Sequence, residues 1–321
     1  MTLGIVIVNW NSGTLLRECL ATLPEAAAQL PANCPLRRVV VIDNASVDAS
    51  ADDIYLPDID LVVLRNPVNR GFAAGCNQGA AALRTSLILF LNPDTRLFAD
   101  SLIAPVTMLD QPEHVSTGIV GIAMVDDSGD VVPSCARYPR AWHFASHAIG
   151  LDRLWPRAGH YMLEWDHAQT RPVDQVIGAF FMIRSELFEA LGGFDERFFV
   201  YFEEVDLAWR ARRAGWSSVY LSKARAYHKG GGTSEAVKDV RLFYALRSRL
   251  LYGRKHFALP ERLFLWAITF ALEPMSRVIH LVARGRWSEL RQVAAAYAML
   301  WRQGLRAPQQ ARAAIADHAQ R

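Results

Sequence analysis

The sequence predicts an α/β domain on a doubly wound, mostly parallel sheet with flanking helices, followed by a basic, amphipathic helical region. Three observations lead there. Short, fully apolar runs alternate with helix-like stretches through the first hundred residues, and a strand apolar at every position is one buried on both faces between helices. Residues 236–321 hold 15 Lys and Arg against 5 Asp and Glu, whereas residues 1–235 hold 20 against 27, so an acidic body precedes a basic tail. Past residue 236 the apolar residues recur at helical spacing.

Gly4–Val8 reads as the first strand and Leu15–Leu30, rich in Leu, Ala and Glu, as the helix after it. Arg38–Ile42 is the second strand, ending on Asp43, and Leu61–Leu64 the third. Gly71 to Leu83 is Ala-rich and helical, with Gly71, Gly75 and Gly79 on one face for close packing on the sheet. Leu87–Leu91 is the fourth strand, ending at Asn92-Pro93-Asp94. Thr117–Val125 and Val131–Ser134 read as strands around the polar turn Asp126-Asp127-Ser128-Gly129. Residues 138–172 keep no steady period and read as an ordered insertion or mobile loop. Val173–Ile183 is a strand, Ser185–Leu191 a short helix closed by Gly192-Gly193, and Glu203–Ala214 a helix stopped by Gly215. Trp216–Leu221 is a late strand, and no internal repeat is present.

The composition excludes several classes. At 321 residues and 51% hydrophobic the chain can fill a sizeable core, and its net charge of +3 makes no case for nucleic acid. Four scattered cysteines, Cys19, Cys34, Cys76 and Cys135, suggest neither a disulfide framework nor a zinc site. Met1 to Val8 lacks a basic, cleavable leader. The longest uncharged apolar run in the tail, Leu263 to Leu272, falls short of the roughly 20 residues that span a bilayer. The expected location is the cytoplasm, with the tail as a peripheral contact to the cytoplasmic face of the inner membrane.

In an open parallel sheet, ligands bind beyond the carboxyl ends of the strands. Asn9, Asp43 and Asn92-Pro93-Asp94 stand at such ends. Each alone is ordinary turn chemistry; three on one edge suggest a crevice. The first turn, Asn9-Trp10-Asn11-Ser12-Gly13, has no G-x-G-x-x-G and no P-loop, which argues against a nicotinamide dehydrogenase and an NTPase. A diphosphate bound there needs a metal, and Asp94 is the natural ligand, since Mg²⁺ and Mn²⁺ take one or two carboxylates plus phosphate oxygens. His228, beside Gly230-Gly231-Gly232, is a second candidate. Asn69-Arg70 could set a cation near the diphosphate. Phe202-Glu203-Glu204-Val205-Asp206 follows an aromatic stretch. A carboxylate there suits a general base, although acidic residues also simply favour a first helical turn, and Asp206 stands four residues before Arg210, the spacing of a helical ion pair.

In order, Ile5-Val6-Ile7-Val8-Asn9-Trp10, Val41-Ile42-Asp43-Asn44-Ala45-Ser46, Asn69-Arg70-Gly71-Phe72, Leu91-Asn92-Pro93-Asp94, Gly192-Gly193-Phe194-Asp195, Glu203-Glu204-Val205-Asp206 and His228 resemble the family-two inverting glycosyltransferases of the GT-A fold. The subgroup most resembled is the bacterial rhamnosyltransferases of O-antigen and cell-wall linker synthesis. The match covers roughly residues 3–235; the helical tail resembles that subgroup less specifically.

The resemblance implies a GT-A domain over 1–235, its nucleotide-sugar half about 1–125 and its acceptor half about 126–235, with a helical, membrane-associating region over 236–321. Asp43 would contact the donor's pyrimidine beside Asn9, Asn92 would stand near the ribose, and Asp94 would hold Mg²⁺ or Mn²⁺ with His228 as a further ligand. Glu204 would be the base, with Glu203 still a candidate because the usual pair is Glu-Asp. Asp195 and Asp206 are acceptor candidates. Asn92 departs from the acidic residue that many relatives carry. The implied reaction moves L-rhamnose from dTDP-rhamnose to a hydroxyl of a lipid-linked or envelope saccharide, with a UDP- or GDP-sugar donor as the alternative. A sugar-nucleotide pyrophosphorylase would need a basic first loop, which Asn9–Gly13 lacks. A non-catalytic membrane-edge adaptor is the third reading, suggested by the tail, whose apolar patches either lie on an anionic leaflet or pack on protein.

Overall fold

The computed structural model describes residues 1–230 and 237–305. Its strands are β1 Leu3–Asn9, β2 Leu36–Asp43, β3 Leu61–Arg65, β4 Leu87–Leu91, β5 Thr95–Leu97, β6 Thr117–Val125, β7 Val131–Val132, β8 Cys135–Ala136, β9 Arg171–Val173, β10 Gln175–Val176, β11 Phe180–Arg184 and β12 Ser217–His228. Its helices are α1 Leu15–Ala28, α2 Phe72–Ala81, α3 Ile103–Asp110, α4 Ala141–Ala148, α5 Leu151–Leu154, α6 Ser185–Ala190, α7 Glu203–Arg213, α8 Lys238–His256, α9 Leu259–Ala267, α10 Glu273–Ala283 and α11 Trp287–Gln303. The chain divides into two compact units: Met1–Arg137, Trp165–Glu196 and Glu204–Thr233 form the first, and Tyr138–Glu164, Arg197–Glu203 and Ser234–Arg321 the second. The boundary expected at 235/236 and the glycines 231 and 232 lie outside the described residues.

The first unit holds a ten-stranded sheet whose main path is β3-β2-β1-β4-β11-β6-β12-β5. The pairs β1–β2, β1–β4, β2–β3 and β6–β12 are parallel, while β11 runs antiparallel between β4 and β6. Period-two alternation sorts the side chains of β1. Leu3, Ile5 and Ile7 join the core built with Leu16, Leu20 and Leu23 of α1 and Val106 and Leu109 of α3. Val6 and Val8 face α2, where a Cβ on Gly79 would come within 2.4 Å of Val6 Cγ1 and one on Gly75 within 2.9 Å of Val8 Cγ1. The glycine stripe therefore serves close helix–sheet packing. Each fully buried Leu, Ile or Val here contributes about 1.5–3 kcal/mol of transfer free energy.

The sheet continues past the elements legible in the sequence. The segment 173–183, expected as one strand, divides into β9, β10 and β11; β9 pairs with β12, and β10 leaves to form a separate two-stranded sheet with β8. Short β5 pairs antiparallel with the far end of β12, in the register Thr95↔His228, and β12 runs seven residues beyond the Leu221 expected from the pattern.

The second unit consists of helices, including α4 and α5 from the stretch that shows no period in the sequence. Its core gathers Phe144 of α4, Phe243, Tyr244, Leu246 and Leu250 of α8, Leu265 of α9, and Ala296 and Leu300 of α11. α9, a π-helical turn Ile268–Leu272 and α10 run together as one 25-residue helix, long and apolar enough by length and composition to cross a membrane. This corrects the limit drawn from the uncharged run: Glu273 does not end the helix, because its buried carboxylate meets Arg249 at 2.5 Å and Arg277 at 2.7 Å. Burial alone would raise Glu273, but Arg249 and Arg277 outweigh it and hold the carboxyl below its ordinary range.

Candidate active site

The parallel register sets the strand ends level. Asn9 pairs with Asp43, and Ile7 with Leu91, so Asn92-Pro93-Asp94 emerges beside the end of β1. β1 is also where the strand order reverses, since β2 and β3 lie on one side of it and β4 on the other. That is the switch point at which such sheets bind ligands.

The Asn9 side chain is wholly buried and fully engaged. Its Nδ2 lies 3.2 Å from Asp43 Oδ1, 3.1 Å from Ser46 Oγ and 2.9 Å from Ser50 Oγ, and its Oδ1 accepts from Ser12 Oγ. It ties the loops after β1 and β2 together. Asp43 Oδ1 also accepts from the Ser46 amide at 3.3 Å, and Oδ2 stands 3.7 Å from the Arg65 guanidinium, itself paired with Asp52. Residues that the sequence reading did not single out brace the rest of this edge. Buried Asn44 donates from Nδ2 to the Gly71 carbonyl at 3.0 Å, while Asn66 donates to Asn44 Oδ1 at 2.8 Å and Gln78 Oε1 at 2.9 Å. Asn69 Oδ1 accepts from the Gly71 amide at 2.8 Å, shaping the turn into α2, and Arg70 is exposed. The Asn69 side chain is thus a turn-former, and Arg70, whose guanidinium reaches Gln78 Oε1 at 3.5 Å, is the cation of that pair.

Asn92 is half-buried, and its side chain makes no hydrogen bond among the described residues. Asp94 is buried, with Oδ1 3.4 Å from His228 Nε2. The β5–β12 pairing explains this meeting, since it brings residue 228 beside Thr95. At 3.4 Å the contact is long for a hydrogen bond. It is close to the roughly 3 Å between neighbouring ligands of a six-coordinate ion bound at about 2.1 Å. One carboxylate and one imidazole suit Mg²⁺ or Mn²⁺, which keep other positions for water and phosphate oxygens. Among the described residues no group of three His, Cys, Asp or Glu gathers as a self-sufficient metal cage. Beneath this loop, burial and then the Asp94 charge push the Cys19 thiol far up, which keeps it protonated.

The acidic cluster separates into distinct environments. Glu203 is buried. Glu204 is half-exposed as a residue, yet its Oε2 is buried without a hydrogen-bond partner. Burial raises the Glu204 carboxyl above its ordinary range, against the pull of the Glu204 and Val205 backbone amides. A buried carboxylate with a raised pKa is a candidate proton acceptor. The two residues before the pair, Tyr201 and Phe202, hold φ of 68° and 69°, a left-handed conformation that costs non-glycine residues of order 1 kcal/mol each and concentrates at functional sites.

Asp206 has no exposed surface, and its Oδ2 sits 2.8 Å from Arg210 Nε. Arg210 in turn donates at 2.8 Å to the carbonyls of both Leu191 and Gly193. The structure therefore places Asp206 in the helical pair weighed against its acceptor role, holding an arginine that fastens the glycine turn. Asp195 is half-buried in the loop after that turn. The same loop is clamped by Asn77 of α2, which accepts from the Phe194 amide and donates to the Phe194 carbonyl, both at 2.9 Å. Gly193 has φ of 74°, and a Cβ there would stand 2.6 Å from Asn77 Oδ1.

Residues 2–242 match the profile of the family described as "Glycosyltransferase like family 2". The chain is 30% identical over 241 residues to the N-acetylglucosaminyl-diphospho-decaprenol L-rhamnosyltransferase of Mycobacterium tuberculosis, covering 70% of this chain and 75% of that one. Among solved structures, the Pyrobaculum calidifontis mannosyltransferase PcManGT, in complex with GDP-Man and Mn²⁺, superposes with a TM-score of 0.54 at 19% identity over 99% of this chain and 79% of that one. GalNAc-T7 with UDP, GalNAc and Mn²⁺ gives 0.59 at 16% identity over 87% and 51%. At such identities the structures speak for the fold alone, and the sequence match carries the family. The chain belongs to glycosyltransferase family 2, rhamnosyltransferase-like in sequence and GT-A in fold.

Proposed function

We propose that this glycosyltransferase carries out an inverting transfer of L-rhamnose from dTDP-rhamnose to a hydroxyl of a lipid-linked saccharide, in the cytoplasm. The observation that carries the reading is the buried Asp94 carboxylate beside His228 at the mouth of the switch point. A diphosphate needs a counter-charge there, because the first turn offers no glycine cradle and no Lys or Arg.

Each residue then has a task. Asp43 accepts the N3–H of the donor pyrimidine through Oδ2, while Asn9 keeps Oδ1 and the surrounding loops in place. Asn92, with its amide uncommitted, faces the ribose, and Arg70 adds positive charge near the phosphates. Asp94 and His228 would hold Mg²⁺ or Mn²⁺, which when bound supplies Lewis-acid stabilisation of the departing diphosphate. Glu204, with Glu203 as the alternative, takes the acceptor's hydroxyl proton as that oxygen bonds to the anomeric carbon. The bond from that carbon to the diphosphate oxygen breaks on the opposite face, and the nucleoside diphosphate leaves with the bonding pair. One displacement inverts the anomeric centre and leaves no covalent enzyme intermediate. Residues 1–125 are assigned to the donor and 126–235, with Asp195, to the acceptor.

A thermal-shift panel of dTDP-, UDP- and GDP-sugars with and without Mn²⁺ tests the reading. Selective stabilisation by dTDP-rhamnose with Mn²⁺ supports it, and stabilisation by a UDP- or GDP-sugar alone replaces the donor. Asp94→Ala should abolish the Mn²⁺-dependent part of the shift and the transfer to an isoprenoid-linked saccharide; full retention of both would refute the assignment.

A further inference from the structure

The exposed apolar side chains of this protein are concentrated in one place. Among the described residues 24 large hydrophobic ones are exposed, and 17 of them lie in the helical second unit, although it is the smaller of the two. They include Leu154, Trp155, Leu263, Trp266, Ile279 and Val282, which belong to the end of α5, the residue after it and the long helix of α9 and α10. These segments are fastened together. Ser276 of α10 donates to the Ala148 carbonyl at the end of α4, and Arg140 Nε meets Glu261 Oε1 of α9 at 2.8 Å. Basic residues border the same region: the charges of Arg284, Arg153 and Arg286 all act on exposed His280 and depress its pKa. Acidic residues are few in this part of the chain, and the two on the long helix, Glu261 and Glu273, are both committed to arginines.

We infer that this face of the helical unit is a membrane-docking surface that seats its apolar side chains in an anionic lipid leaflet with the helix lying flat. Apolar residues with tryptophans among them, bordered by arginine, match the lipid–water boundary in chemistry and charge. The lipid is favoured over a protein partner because Arg153 and Arg284 border the apolar residues with no carboxylate paired to them among the described residues, while Arg286 is paired with Glu289. Lying flat is favoured over spanning because the opposite side of the helix is already committed. Leu265, Ile268, Thr269 and Glu273 are buried, and Glu273 is held by Arg249 of α8. Drawing the helix across a bilayer would part Glu273 from that arginine, leaving it only Arg277 of its own helix and leaving the Arg249 guanidinium without a carboxylate. Only 28% of the helix's most apolar stretch is buried in the protein, and the remainder is the face that meets lipid. The surface contains none of the donor-site residues, so its test uses neither donor nor turnover and stands or falls apart from the sugar-transfer reading.

The test is co-sedimentation of the full chain with vesicles of phosphatidylcholine, alone and mixed with phosphatidylglycerol. The chain should bind the mixed vesicles, lose affinity as salt is raised from about 0.1 to 0.5 M, and show tryptophan quenching by lipids brominated on the acyl chains. Leu263→Glu with Ile279→Glu, both at exposed positions, should lower binding about tenfold or more, with an unchanged thermal melt. Arg153→Ala with Arg284→Ala should lower it about fivefold for each arginine. Absence of vesicle binding or of acyl-chain quenching by the unaltered chain would overturn the inference. So would undiminished binding by the apolar double variant, or a stable solution dimer dissolved by that variant, which would assign the face to a second copy.

Discussion

Replacing Glu204 with Gln should make the protein more stable and less active at once. Gln keeps the length and shape of the side chain and removes its charge. In the native protein Oε2 is buried and makes no hydrogen bond; an ionised group so placed carries a desolvation cost of about 1–3 kcal/mol, most of which a neutral amide avoids. Because the residue as a whole is only half-buried, the lower end applies, and Glu204→Gln should gain about 1 kcal/mol at neutral pH, or roughly 2 °C in Tm for a chain of this size. The pH dependence follows from the raised pKa. Between the unfolded and folded values the native state holds more protons than the unfolded state, so stability falls as pH rises through that window. The gain in the variant should therefore vanish below about pH 4.3 and be complete above the folded pKa. If the same carboxylate takes the acceptor proton, turnover should drop about 10²- to 10⁴-fold with donor affinity intact. Melts from pH 4 to 8, donor-binding calorimetry and initial transfer rates measure all three. A variant less stable than the parent at pH 7, or one with undiminished turnover, would refute the reasoning.

Other outcomes follow from the same geometry. Asp206→Asn removes one partner of a buried ion pair and should cost about 3 kcal/mol, read as a lower denaturation midpoint; a fall in transfer rate with stability unchanged would return Asp206 to the acceptor site. Gly79→Ala places a Cβ 2.4 Å from Val6 Cγ1 and should destabilise by about 1–3 kcal/mol, whereas Gly13→Ala, with nothing within 4 Å and φ of 57°, should cost about 1 kcal/mol by backbone strain alone. His160 is pushed down to about 3 by burial and then by its neighbours His143, His147 and Arg249. Its neutral ring therefore supports the fold above the ordinary histidine range, and that support is lost as pH falls from about 6.5. His160→Phe should blunt this acid-induced loss, measured by melts between pH 3 and 7.

Much of the first unit is legible residue by residue because its signals are local. The runs Gly4–Val8, Arg38–Ile42, Leu61–Leu64 and Leu87–Leu91 all became strands, since continuous apolar stretches bounded by polar ends leave little choice. The glycines of α2 announced their packing against β1. Reading failed where pairing or charge compensation is long-range. β5 is three residues long and exists because β12 runs past Leu221 to meet it. The stretch 138–172 shows no period because α4 and α5 within it are short and are ordered by packing on helices more than a hundred residues away. The long helix was read as too short to span because Glu273 was counted as a free charge, and its neutralisation by Arg249 is visible only in three dimensions.

The sequence by itself determined the alternation of strands and helices, the polar strand ends and the basic, apolar tail, because each depends on side-chain type at spacings of a few residues. Tertiary structure alone decided which partner each acidic residue meets. Asp206 and Asp94 look alike on paper, yet one is tied to Arg210 and the other stands beside His228. Likewise Glu204 differs from an ordinary first-turn glutamate only through the burial of one oxygen. Desolvation and partner choice are properties of the space around a group, and that space is filled by residues far away along the chain.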